Sequence, residues 1–186
     1  MPAVGLYPRL LGPAWETLHG AVRRMHTVGA GPSVRGLFRV WCAPGLPARA
    51  LCRLVRLPPP GEAVETRLVV TGDAERERWA RSFGGRPLVS DESLGADGVL
   101  VERVPPIELR FRLEAHAGAL HFRQVGVALR LAGLRVPLPA FLGPRVTARE
   151  TPAGDAAVRV EVTMRAPLLG PIFGYEGTVE LSEGTP

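Results

Sequence analysis

Two stretches in the first sixty residues space their apolar positions by three or four, and from residue 63 apolar and polar positions alternate. Trp15, Leu18, Val22 and Met25 form one stripe, which predicts a helix near 13–28. Pro13 is tolerated in its first turn, and Gly29 and Gly31 end it. Residues 37–42 alternate, which predicts a strand with Phe38, Val40 and Cys42 on one face and Leu37, Arg39 and Trp41 on the other. Leu51, Leu54 and Val55 predict a second helix near 46–57, stopped by Pro58-Pro59-Pro60-Gly61.

From Ala63 the period is two. Strands are expected at 63–71, 75–83, 87–90, 98–104, 107–114, within 120–131, and at 158–165 and 173–181. Gly72-Asp73 and Gly84-Gly85 supply turns, and Gly126 marks a bulge. Residues 107–114 alternate without fault: Ile107, Leu109, Phe111 and Leu113 face one way, Glu108, Arg110, Arg112 and Glu114 the other. Connections after residue 60 are too short for parallel crossovers, so the sheet is antiparallel. The expected class is α+β, mostly β. It is a strongly curved antiparallel sheet or open β-barrel of about eight or more strands, with two helices in the N-terminal third. One domain is expected over residues 1–186.

Composition narrows the function classes. The hydrophobic fraction of 46% excludes wholesale disorder. Every basic residue is Arg, with no Lys or Asn and almost no Ile, as expected of a GC-rich bacterial genome. The net charge of +5 is spread along the chain and interleaved with Asp and Glu, and aromatics are only 6%, so no nucleic acid partner is expected. Cys42 and Cys52 form no CxxC pair and read as free thiols in a reducing compartment. The chain opens on no secretory pattern and holds no apolar run long enough for a membrane span, so a cytoplasmic location is expected.

Candidate chemistry centres on residues 77–81. In a strand, Glu77, Trp79 and Arg81 share one face. That face reads either as a pocket floor, with Arg81 pairing an anion beside a flat Trp79 wall, or as a charged rung on the outer surface. His26 ends the first helix, where the dipole favours a cation, and is a candidate base or pocket hydrogen-bonder. Tyr175 shares a face with Phe173 and Val179, with a hydroxyl free to reach a polar partner. His26, Glu77, Trp79, Arg81 and Tyr175 thus form the candidate ligand-binding set, and no catalytic residue is assigned. Arg145, Arg149 and Glu150 read as a solvated ion-pair rung, and His121 as lying on a wet sheet face. No nucleophile elbow, P-loop or metal-ligand spacing appears, and neither cofactor nor metal is expected.

Several strings carry a resemblance: Leu6-Tyr7-Pro8-Arg9-Leu10-Leu11-Gly12, Leu57-Pro58-Pro59-Pro60-Gly61, Glu77-Arg78-Trp79-Ala80-Arg81-Ser82-Phe83-Gly84-Gly85, Val136-Pro137-Leu138-Pro139, Pro144-Arg145-Val146-Thr147-Ala148-Arg149-Glu150, and Pro167-Leu168-Leu169-Gly170-Pro171 leading to Tyr175 and Gly177. Over nearly the whole chain it resembles the bacterial family named domain of unknown function (DUF) 4166. That resemblance implies no assigned reaction. It implies a family whose members also occur fused behind saccharopine-dehydrogenase-like or short-chain NAD(P)-binding domains, whose GxGxxG this chain lacks. Three function classes are carried forward. The first is a binding module holding a lipophilic or amphipathic small molecule in a curved-sheet cavity. The second is an accessory or substrate domain acting with a separate NAD(P)-dependent oxidoreductase. The third is an enzyme using His26, Glu77 or Arg81.

Overall fold

The computed structural model describes residues 5–27 and 34–181; the helix end expected at Gly29 and Gly31 lies outside them. Eleven strands follow the N-terminal helices: β1 (Val34–Cys42), β2 (Gly61–Gly72), β3 (Arg76–Phe83), β4 (Arg86–Leu94), β5 (Leu100–Val104), β6 (Ile107–His116), β7 (Ala119–Leu131), β8 (Leu134–Pro137), β9 (Arg145–Pro152), β10 (Ala157–Ala166) and β11 (Gly170–Leu181). Ten of them close into an antiparallel barrel in the order β6-β5-β4-β3-β2-β1-β11-β10-β9-β7, with β7 returning to β6. Closure leaves the ring without an unpaired edge. β8 pairs only with the far end of β7 and stands outside the ring.

The strict alternation read from the sequence becomes inside and outside. Leu109 and Phe111 of β6 point into the lumen, while Arg112 is exposed. An aromatic cluster fills the middle: Phe38, Phe83 and Tyr175 lie 5.0–5.8 Å apart by ring centroid. β7 carries a bulge, since Gln124 faces Phe111 and Gly126 faces Arg110, leaving Val125 between them. This is one residue from the expected position. β7 pairs with β9 only from Leu120 to Arg123. Beyond that, the Gln124 side chain takes over from the ladder. Its Nε2 donates to the Pro144 carbonyl at 2.9 Å, and its Oε1 accepts from the Val146 amide at 2.6 Å.

The first helix differs from expectation. In place of one helix near 13–28 the chain forms α1 (Leu6–Leu11), a 3-10 turn (Gly12–Thr17) and α2 (Gly20–Met25). Gly12 adopts φ 54°, which ends α1. Leu18 then leaves helical geometry to bridge Gly118, and the His19 amide donates to the Gly118 carbonyl at 3.0 Å. The His19 side chain caps α2 by accepting from the Ala21 amide at 3.2 Å. The apolar stripe is thus real, but it is spread over three short pieces that plug one mouth of the barrel. α3 (Leu46–Leu54) lies at the opposite mouth, with Ala48 and Cys52 buried against the barrel.

Candidate functional site

Glu77, Trp79 and Arg81 occupy the inward face of β3 rather than an outer rung, and Trp79 and Arg81 line a chamber. Trp79 is 2% exposed and donates through Nε1 to Glu77 Oε2 at 3.1 Å. The Arg81 guanidinium lies 5.3 Å from the Trp79 ring. It donates to Ser90 Oγ at 3.0 Å and to Glu102 Oε1 at 3.5 Å, and lies 3.9 Å from Glu92. A charge in an apolar lumen needs such partners. Burial works against its charge, but Tyr175, Glu102 and Glu92 outweigh that and raise its pKa further.

The plug supplies the second half of the polar cluster. Tyr7 of α1 and His26, just past α2, stack with ring centroids 3.8 Å apart. Trp79 lies 5.1 Å from His26. The Tyr7 hydroxyl donates to Glu92 Oε2 at 2.8 Å, and His26 Nε2 meets Glu150 Oε2 at 2.5 Å. Each contact ties the plug to a different wall, β4 or β9. Burial, then the neighbouring Glu102, raises Glu92 well above the ordinary carboxylate range, which favours its neutral form. Burial also raises Glu77, partly offset by His26. Tyr7 is raised by burial and by Glu92, Glu150 and Glu77. Burial raises Tyr175, against the pull of Arg81.

The lumen holds two small chambers of about 80 Å³ each. One, toward the plug, is lined by Tyr7, Trp79, Glu92 and Glu150 among apolar side chains. The other, toward α3, is walled by Val55, Leu57, Leu109, Met164 and Phe173. Arg81, Glu102 and Tyr175 line both, so a polar rung separates two apolar spaces. Of the five candidates, Trp79, Arg81 and Tyr175 face a chamber. His26 and Glu77 sit behind it, between plug and wall, and among the described residues His26 Nδ1 and Glu77 Oε1 have no hydrogen-bond partner.

Sequence reasoning missed four members. Glu150 was expected on a solvated rung; it is buried because it shares strand parity with the inward Val146 and Ala148. Glu92 lies beyond the expected strand end at residue 90, and Glu102 shares parity with buried Leu100. Tyr7 lies in a helix that was not expected. Strand parity, carried to the true strand ends, is the signal that finds the three glutamates. No group of three or more His, Cys, Asp or Glu placed to hold a metal ion occurs among the described residues. Near the other mouth, Cys42 Sγ and Cys52 Sγ lie 3.2 Å apart, and burial, then Cys42, pushes the Cys52 thiol up to about 12.

The family model described as Domain of unknown function (DUF4166) matches residues 18–179. No curated protein matches the sequence.

Proposed function

The chain therefore belongs to the DUF4166 family, and on that premise we propose that it is a binding module holding a small amphipathic molecule in the barrel lumen. The observation that carries this reading is the polar rung of Arg81, Glu102 and Tyr175 set between two apolar chambers. Binding sites pair apolar walls with a few placed polar groups, and this lumen has that composition. Each chamber of about 80 Å³ admits only a small apolar group. A ligand filling both displaces the 3.5 Å Arg81–Glu102 contact and takes over those hydrogen bonds. Its polar part is uncharged, such as a hydroxyl or carbonyl. Glu102 and Glu150 in the chamber wall disfavour an anion, and Arg81 disfavours a cation.

Catalysis by His26, Glu77 and Arg81 gains less support. Only Arg81 of the three faces a chamber; His26 fastens plug to wall, and Glu77 accepts from Trp79 of its own strand. Native mass spectrometry of the purified protein, before and after exposure to total lipid extract, tests the binding reading. The expected result is extra mass that disappears on denaturation and extracts into organic solvent, and that Arg81→Met reduces. A clean apo mass under both conditions overturns it.

A further inference from the structure

We propose that the α3 rim of the barrel docks on a membrane surface rich in anionic lipid. The segments that build this rim carry a surplus of cations; the exposed acid at the start of β2, Glu62, is paired with Arg39. Between Ala43 and Gly61 the only charged residues are Arg49, Arg53 and Arg56, and all three are exposed. The α3 end of β4 contributes Arg86 and that of β10 Arg165. From Gly126 to Val146 the charged residues are Arg130, Arg135 and Arg145. The nearest buried acid, Glu108, is surrounded by Arg103, Arg130 and Arg135 at 2.6–3.4 Å, so this neighbourhood keeps a surplus of positive charge.

The same rim exposes large apolar side chains. Leu46 and Leu54 of α3 are 82% and 77% exposed. Leu168, at the tip of the β10–β11 turn, is fully exposed and held at φ 64°. Leu134 and Phe141 are also exposed. Leu134 belongs to the β7–β8 hairpin, which runs past the barrel edge because β6 starts at Ile107, opposite Leu129. Nine of the twelve exposed large hydrophobics of the described residues lie on this rim. Exposed Leu and Phe interleaved with a surplus of Arg suit an interface of acyl chains beneath anionic headgroups. An acidic protein partner would satisfy the arginines but not this many scattered protruding apolar tips. No helix among the described residues is long and apolar enough to cross a membrane, so the contact is peripheral.

Docking of this kind does not depend on whether the lumen holds a ligand. Flotation of the full chain with phosphatidylcholine vesicles, with and without phosphatidylglycerol, tests it. The protein is expected to float with the anionic vesicles only, and to be released as salt rises. Replacing Arg49, Arg53 and Arg56 with Gln weakens binding about a hundredfold, at about fivefold per charge. Leu54→Asp and Leu168→Asp each weaken it roughly tenfold or more. These positions are exposed, and unchanged thermal melts verify that the variants fold. Arg81→Met, inside the lumen, leaves flotation unchanged, which separates this proposal from the binding reading. Failure to float with anionic vesicles overturns it. So does equal, salt-insensitive binding to both vesicle types. Self-association abolished by Leu54→Asp, with no vesicle binding, assigns the rim to a second copy of the chain instead.

Discussion

The two mouths of this barrel are closed by opposite chemistry. At the plugged mouth three of the four strand–strand turns carry an acid: Asp73 and Glu75 between β2 and β3, Asp97 between β4 and β5, and Asp155 between β9 and β10. There the plug is fastened by buried polar contacts, Tyr7 to Glu92 and His26 to Glu150. At the α3 mouth the turns carry arginine and leucine, and α3 is held by packing of Ala48 and Cys52. A plug held by buried hydrogen bonds has one seated position, because each donor left unmatched costs its full desolvation. A helix held by apolar contact alone can slide or lift at lower cost. The difference makes the plug the more rigid closure and leaves the α3 mouth as the end proposed to dock.

Substitutions can break this comparison. The largest effect is expected for His26→Ala, which strands Glu150 in the core and removes the stack on Tyr7. Urea unfolding should show a loss of about 3–5 kcal/mol; a loss below about 1 kcal/mol would mean that the plug is not fastened this way. Next is Glu108→Gln near the α3 rim. Burial pushes the Glu108 carboxyl up, but hydrogen bonds from Arg135 and Arg130 overrule it and hold it at about 2. A folded-state value below the ordinary one gives stability that is present above pH 4.5 and lost as pH falls through about 2. At pH 7 the variant should lose about 2 kcal/mol, given that the arginines are partly exposed, and the difference from wild type should close on acidification.

Tyr7→Phe removes one donor to Glu92 and should cost about 1 kcal/mol. Glu92 sharpens the contrast through its sign. Its raised folded-state value gives stability that is present below the ordinary carboxylate range and lost as pH rises through the folded value. Glu92→Gln should therefore flatten the fall in stability above pH 5 measured by thermal melts; an unchanged slope removes Glu92 as its source. The smallest effect is expected for Leu54→Ser, within about 0.5 kcal/mol, because that side chain is already in water.

Much of this was legible in the chain. Strict alternation in residues 107–114 and 158–165 gave strands whose inward Leu109, Phe111, Val158 and Val160 are buried, but Glu108 of the outward set is buried as well, beneath Arg130 and Arg135. The shared face of Glu77, Trp79 and Arg81 was readable too, but not its direction. A polar face turns inward only where other strands bring partners, and Ser90 and Glu102 are remote in sequence. The segmentation of the plug escaped for the same reason, since Leu18 and His19 bend the chain to meet Gly118 a hundred residues on. Tyr7, Glu92 and Glu150 became a cluster only when the ring closed. Periodicity reports which side of a strand is apolar, whereas a lumen site is made by residues that break it.

The ring has a seam. β7 and β9 share four paired positions before the Gln124 amide stands in for the missing ladder. β4 and β5 also share four, but those two strands follow one another through a short turn, so their pairing is local. β9 reaches β7 only after the whole β8 excursion. A closed hoop opens first where its joint is shortest and least supported by chain connectivity. Parting there lets the hoop unroll a little while the rest of its circumference stays zipped. Hydrogen exchange should record this as early labelling at Val146. That residue lines both chambers, so parting at the seam would open the lumen sideways rather than through a mouth.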